Sequence, residues 1–316
     1  MPRPSSPAQR PRLATVVQEA VDRRNAFIGL QVLPIFRAAE QTGQFPVIPA
    51  EVMFSIPETR RAARGEYARS DWEWDWDTYA TVENGFEEPV DDKEVKLYKS
   101  YFNAETMAGI RARRIVLRNQ EKRIADMVFN ASNFTAHSVT NEWDDGENAT
   151  PIDDVKAGRL AIHDAVGIEP NTLVIAYSTF LNLGLCDEIV DRIKYTNPSV
   201  RRGDIKTDLL ALAFGVDQVV VGDGLYNSAK KGQDASLTGI WNNEHAMLCV
   251  TDGSPMLGEA PCLGRTFLWT EDSPSNCVME SYRDDRVRGN VIRARHETDE
   301  EFISADCGYL LSNITT

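Results

Sequence analysis

Residues 71 to 77 read D-W-E-W-D-W-D, an unbroken alternation of acid and tryptophan that holds three of the chain's six tryptophans. Period-two alternation marks an extended strand with one polar and one apolar face. Asp71, Glu73, Asp75 and Asp77 then share one face, and Trp72, Trp74 and Trp76 share the other. The alternation runs through much of 67 to 82, and Asn84-Gly85 reads as a reversal, so residues 60 to 97 are expected to form one long β-hairpin. A two-stranded hairpin is not stable alone in water. A chain that carries one must set it against another surface.

Four carboxylates and three indoles in a row also invite a chemical reading, and geometry decides against it. Side chains two apart on a strand lie about 6 to 7 Å from each other, and a calcium loop would need a turn and a glycine that 71 to 77 lack. That spacing suits a glycosidase pair, but a solvated row offers nothing that would raise one carboxyl into an acid's range. The tryptophans as a stacking platform for sugars or bases remain weaker than a strand buried on its indole face. Elsewhere, V-V-V-G-D-G (219 to 224) lacks the third glycine of a dinucleotide loop, and its plain reading is a strand-to-helix turn. His137, His163, His245 and His296 are isolated, and no G-x-S-x-G occurs. No catalytic, cofactor-binding or metal-binding residues are expected.

Charge is unevenly placed along a chain of net −14. Asp71 to Glu94 holds ten acids and one lysine, the first 24 residues hold five arginines and two acids, and Arg283 to Arg295 holds five arginines and two aspartates. Duplex DNA recognition is driven by phosphate neutralisation, which an acidic chain serves poorly. Separated blocks of opposite sign suit like chains meeting one another. No run of about 18 apolar residues and no apolar stretch behind the N-terminus point to a membrane span or signal peptide. Five scattered cysteines without C-x-x-C read as reduced thiols of a cytoplasmic protein.

Residues 1 to 12 hold four prolines and read as an extended arm, followed by a short helix over 13 to 26. Pro34, Pro46, Pro49 and Pro57 then punctuate chain that reads as running over a surface. The strongest helical signal spans 105 to 129, with Met107, Ile110, Leu117, Ile124 and Val128 on one stripe and Arg111, Arg114, Arg118, Lys122 and Arg123 turned away or flanking. Beyond W-D-D-G-E-N-A-T-P (143 to 151), helices over 152–166, 186–194 and 209–214 alternate with strands over 172–177, 218–222 and 245–250. Strands over 263–270, 277–282 and 287–296 follow, and the chain closes on an apolar stretch over 302–314. The arginines of the long helix find few acids nearby in sequence. The acidic strip is the evident supply, with the 283–295 arginines as a second basic set.

The order and spacing of these segments resemble the major capsid proteins of tailed bacteriophages, a Hong Kong 97-like family shared with encapsulin shells. The resemblance is carried by T-G-Q-F-P-V-I-P (42 to 49), the stretch from Ala63 to Asp92 around the tryptophan strip, D-D-V-K-A-G-R-L-A-I-H-D-A-V-G-I-E-P-N-T-L-V-I-A-Y-S-T-F (153 to 180), P-C-L-G-R-T-F-L-W (261 to 269), M-E-S-Y-R-D-D-R-V-R-G-N-V-I-R (279 to 293) and G-Y-L-L-S-N-I (308 to 314). It covers nearly the whole chain, though no single motif is diagnostic. It implies an α+β Hong Kong 97-like fold with five parts. These are an N-terminal arm (1–58), an extended hairpin loop (59–97), a peripheral domain with a long spine helix (98–150), an α/β axial domain (151–260) and returning peripheral strands (261–316).

The function it implies is structural and non-enzymatic, without cofactors: hexamers and pentamers of an icosahedral shell enclosing double-stranded DNA, assembled in the host cytoplasm and resident in the virion. Partners would be other copies of the chain, a separate scaffold protein, portal and decoration proteins, and DNA held without sequence specificity, with no membrane. Asp71 to Asp77 would contact a neighbouring subunit, with Arg111, Arg114, Arg118, Arg283, Arg286 and Arg288 as basic partners and Arg3, Arg10 and Arg12 facing DNA. Arm-like sequence begins almost at once, hence the expectation of a separate scaffold. Residues 60 to 92 contain no lysine, so no lysine-based crosslink is expected from the hairpin tip. An encapsulin-type compartment is the alternative within the fold, and a cytoplasmic α/β enzyme with an unusual arm is the alternative outside it.

Overall fold

The residues that the helical periodicity singles out form a 25-residue helix, Ala104–Val128. At about 1.5 Å per residue it spans roughly 37 Å. Asn103 caps its start by accepting from the Thr106 amide at 3.1 Å, and Glu105 in the first turn complements the helix dipole. The structure, a computed structural model, describes residues 8–9, 27–47, 49–61, 63–69, 74–196, 201–258 and 260–315. The helix expected over 13–26, and Arg3, Arg10, Arg12, Asp71, Trp72 and Glu73, lie outside them.

The architecture is α+β, built on two sheets that the long helix joins. In the first sheet the order is Ala8–Gln9, Val278–Asp284, Gly289–Phe302, Gly264–Trp269, Ile35–Ala38, and Val82–Asp91 also pairs with Gly289–Phe302. The second sheet runs Ala136–Ser138, Gly308–Ser312, His245–Cys249, Thr172–Ala176, Gln218–Gly222. Thr172–Ala176 is buried throughout and lies parallel to Gln218–Gly222, as expected of a continuous apolar run covered on both faces. The helix Pro151–Val166 lies against this sheet, opened by proline in its first turn and closed by Gly167 in the left-handed region at φ 69°. Gly158 on that helix sits so near Tyr309 that a Cβ there would meet its ring at 2.8 Å.

The long helix serves two cores. Ala108, Ala112 and Val116 pack on Val90, Met279, Ile292 and Ala294 of the first sheet. Ile124, Ala125 and Val128 enter the main core around the second. Glu121, 2% exposed, sits between them. It accepts from the amides of Ile28 and Gly29 at 2.9 and 2.7 Å and from Trp241 Nε1 at 2.6 Å. Burial pushes its carboxyl up, and these three donors oppose that rise. One carboxyl thus joins the long helix, the chain entering it from residue 28 and the second sheet's flank.

Several expectations are corrected. Asn84 and Gly85 make no reversal. They lie inside the ten-residue strand Val82–Asp91, opposite His296 and Arg295, because a partner strand 200 residues away offers a full ladder. Asp75–Ala80, which holds the described end of the acidic strip, pairs instead with Thr42–Val47, in the stretch read as surface-running chain. Pro46 is tolerated there because this two-stranded ribbon leaves one edge of each strand unpaired. The buried stripe of the long helix is Ala108, Ala112, Val116, Ile124 and Val128, whereas Met107 is 50% exposed and Ile110 and Leu117 are half-buried. Close approach to a sheet requires small side chains, which a search for large apolar residues passes over. Gly308–Ser312, expected among the peripheral strands, pairs with His245–Cys249 in the second sheet.

Candidate assembly surfaces

The ribbon is fastened at its base, and Asp75, Trp76 and Asp77 toward its other end are exposed. Tyr79 stacks on Phe267 at 4.4 Å and 3°, Phe45 stacks on the same ring at 5.2 Å, and Phe36 meets it edge-on at 5.5 Å. Phe45 and Phe267 are fully buried and Tyr79 is 9% exposed. Ala80 N donates to Asp299 Oδ2 at 2.8 Å, and Thr81 Oγ1 donates to the Gln41 carbonyl at 3.1 Å. Beyond this staple Trp76 is 61% and Trp74 42% exposed, and Asp75 and Asp77 are exposed as well.

Alternation assigns Asp75, Asp77 and Tyr79 to one face and Trp74, Trp76 and Thr78 to the other. Since Tyr79 packs on Phe267, the acidic face is the one turned toward the sheet. Asp77 adds its field to that of Asp299 on Glu301, whose carboxyl is pushed up to about 7, chiefly by burial. Trp76 lies on the face opposite Tyr79 and is 61% exposed.

A second surface lies along the first half of the long helix. A groove of about 770 Å³ opens between that helix, the short helix Asp92–Tyr98 and the end of Val82–Asp91. Tyr98, Phe102, Met107 and Ile110 give it apolar walls, and Arg111, Arg114 and Arg118 line it with positive charge. Tyr98 and Phe102 stack at 5.1 Å yet stay 38% and 45% exposed. Arg111 reaches Glu88 at 2.8 Å. Among the described residues Arg114 and Arg118 have no acid partner, and Arg118 Nε is buried without an acceptor. The aromatic part of this surface was missed in the sequence, where Met107 and Ile110 passed for core. A helix face that mixes arginine with large apolar residues was the available signal.

The other basic set divides. Arg283 holds Asp92 through two bonds of 2.6 Å, Arg293 holds Glu87 at 2.6 Å, and Arg295 binds Glu280 at 2.9 Å and also Asp272. Gly289–Phe302 pairs antiparallel with both Val82–Asp91 and Val278–Asp284, which brings Glu87 and Glu280 to Arg293 and Glu280 to Arg295, and Arg283 is engaged by Asp92 within its own subunit. Arg286 and Arg288 stay exposed in the turn between Val278–Asp284 and Gly289–Phe302, with no described ion pair.

Among the described residues no cluster of three or more His, Cys, Asp or Glu could hold a metal ion, and no helix is long and apolar enough to cross a membrane. All five cysteines are buried and free. Burial drives the Cys277 thiol up to about 11 and that of Cys307 up to about 12, which leaves neither reactive near neutral pH. The conspicuous surfaces are therefore those for contact, and they sit on a frame of two sheets bridged by one helix with a protruding ribbon.

That frame is the Hong Kong 97-like capsid fold, shared with phage capsid and encapsulin structures. Two curated proteins are similar in sequence over most of their length. The chain is 26% identical over 309 residues to the major capsid protein of Burkholderia phage BcepMu, covering 93% of this chain and 94% of that one. It is 22% identical over 299 residues to the major capsid protein of Pseudomonas phage JBD67, covering 92% and 93%. A phage-related protein from Bordetella bronchiseptica superposes with a TM-score of 0.71 at 19% identity, over 98% of this chain and 99% of the other. The capsid of cyanophage P-SCSP1u gives 0.58 at 9% identity over 89% and 86%. An encapsulin from Synechococcus elongatus gives 0.50 at 12% identity over 92% and 89%. No family model matches the chain.

Proposed function

We propose that this chain is the major capsid protein of a tailed phage and that its copies assemble as hexamers and pentamers of an icosahedral shell around double-stranded DNA. The observation that carries this reading is the ribbon. Its base is stapled by Tyr79 and Phe267, while Trp76, 61% exposed, has no core of its own to enter. An exposed large aromatic on a fastened arm is what an intersubunit contact requires. In the assembled head Asp71 to Asp77 contact a neighbouring subunit, and Arg111, Arg114, Arg118, Arg286 and Arg288 supply the opposite charge. Arg283 is a lesser partner because Asp92 already holds it.

Arg3, Arg10 and Arg12 face packaged DNA, which is held through phosphates without sequence specificity. A separate scaffold, a portal and decoration proteins complete the partners, and the assembled chain resides in the virion after assembly in the host cytoplasm. The encapsulin reading shares the fold, and the contents of the particle separate the two: nucleic acid in one, cargo protein in the other. Negative-stain electron microscopy of the concentrated protein, expressed alone and with its scaffold, is expected to show closed shells. A monomer or dimer at every concentration, with and without scaffold, overturns the proposal.

A further inference from the structure

We infer that Arg265 is a two-position latch: on Asp252 it fixes the loop 251–258 against the base of the ribbon, and ionised Glu301 draws it away and frees that loop.

The loop leaves the second sheet after His245–Cys249 and crosses to the ribbon. Its start is tied down, since the Thr251 amide donates to Asn171 Oδ1 at 2.9 Å. At its far end Leu257 packs against the cluster of Phe45, Tyr79 and Phe267. Gly258, at φ 84°, lies where a Cβ would stand 3.6 Å from Pro46 and 3.7 Å from Trp74. Asp252 fixes the stretch between these ends. It accepts from the Ser254 amide at 2.9 Å and from Arg265 Nη2 at 2.6 Å.

The guanidinium has a second place to go. Arg265 and Glu301 stand directly opposite in antiparallel register, so their side chains share the face that carries Phe267 and the ribbon base. Opposed Cβ atoms are about 4.5 to 5.5 Å apart, a gap that an arginine spans. Arg265 is 1% exposed, yet its Nε and Nη1 meet no acceptor. The group beside them is the Cys262 thiol, which burial keeps neutral. Glu301, for its part, has no cation among the described residues. Asp299 and Glu300 on its own strand and Asp77 on the ribbon face it with negative charge, and Arg123 of the long helix is taken by Glu300. Buried donors without an acceptor are costly, and a carboxylate is the acceptor that relieves them best. Closing that pair swings the guanidinium toward Glu301 and takes Nη2 from Asp252.

Proton occupancy chooses between the two positions. Burial and the surrounding carboxylates push Glu301 up to about 7. Below that value the carboxyl is protonated and Arg265 stays on Asp252. Above it the carboxylate competes for the guanidinium, and the loop loses its central tie.

Hydrogen exchange of the full chain at about pH 5.5 and about pH 8.5, corrected for intrinsic rates, tests the latch. In the unmodified protein, protection over 251–258 is expected to fall about five-fold or more at the higher pH. Glu301→Gln, uncharged and of the same shape, is expected to keep the low-pH protection at both values. Plain repulsion between Glu301 and Asp77 gives a different pattern, in which Asp77→Asn abolishes the effect. With the latch, Asp77→Asn leaves the loss over 251–258 in place and moves its midpoint to lower pH. Equal protection at the two pH values in the unmodified chain overturns the proposal. So does a pH dependence that disappears in Asp77→Asn or survives in Glu301→Gln.

Discussion

Glu301 faces Asp299 on its own strand and Asp77 on the ribbon, with Glu300 beside it, while Glu300 itself is held by Arg123 at 2.9 Å. The buried guanidinium of Arg265, on the residue opposite Glu301 in the sheet, is turned to Asp252 at 2.6 Å. Burial first, and the carboxylates around it second, push Glu301 up to about 7 from the ordinary value of 4.5. A carboxyl whose folded pKa is raised binds more protons folded than unfolded, so its contribution is fully present below about 4.5 and is lost as pH rises through about 7. Glu301→Gln is therefore expected to raise the melting temperature at pH 8 and to flatten the pH dependence between 4.5 and 7. Melting curves of both proteins across that range check it, and an equal slope in the two would remove Glu301 as the cause. Residues 299–301 read as sequence show the charges of Asp299 and Glu300, but neither the burial that leads the shift nor the added charge of Asp77, more than 200 residues earlier.

At the scale of elements, the ribbon and the long helix show why local pattern carries only part of the fold. The ribbon depends on one aromatic stack, since Tyr79 and Phe45 both rest on Phe267. Tyr79→Ala removes a buried ring and is expected to cost about 3 to 4 kcal/mol of stability. Hydrogen exchange at residues 42–47 and 75–80 should rise more than in the second sheet, because the contact that anchors the strands is lost. Uniform exchange throughout would show that the stack does not anchor the ribbon. The alternation at 71–77 correctly signalled the strand that begins at Asp75 but could not choose its partner. Asn84-Gly85 has the chemistry of a tight turn, and Thr42–Val47 has a proline within it, so local rules favoured the wrong pairing. The long helix was legible in extent because a 3.6-residue period repeats through it. Its packed face was not, because Ala108 and Ala112 are selected by distance to a sheet and not by hydrophobicity.

On the scale of the whole molecule, stability and assembly separate. Trp76 is largely exposed in the single chain, so Trp76→Ala is expected to change unfolding free energy by no more than about 0.5 kcal/mol. Shell formation should nevertheless be lost, since aromatic anchors dominate interface energy. Denaturant unfolding paired with electron microscopy measures both, and normal shells from Trp76→Ala would contradict the role given to the ribbon. The sequence alone determined the long helix, the buried strands of the second sheet, the acid–tryptophan alternation and the order of segments that signals a capsid fold. Each of these is written in residues close together, where period and turn chemistry act directly. Tertiary structure alone decided that Thr42–Val47 pairs with Asp75–Ala80 and that Arg283, Arg293 and Arg295 are engaged within the subunit. It also set Asp75 and Asp77 on the face that carries Tyr79 and Trp76 on the other, and it left Met107 and Ile110 to wall a groove. Those outcomes depend on strands hundreds of residues apart meeting in one register, and register is a property of the pair.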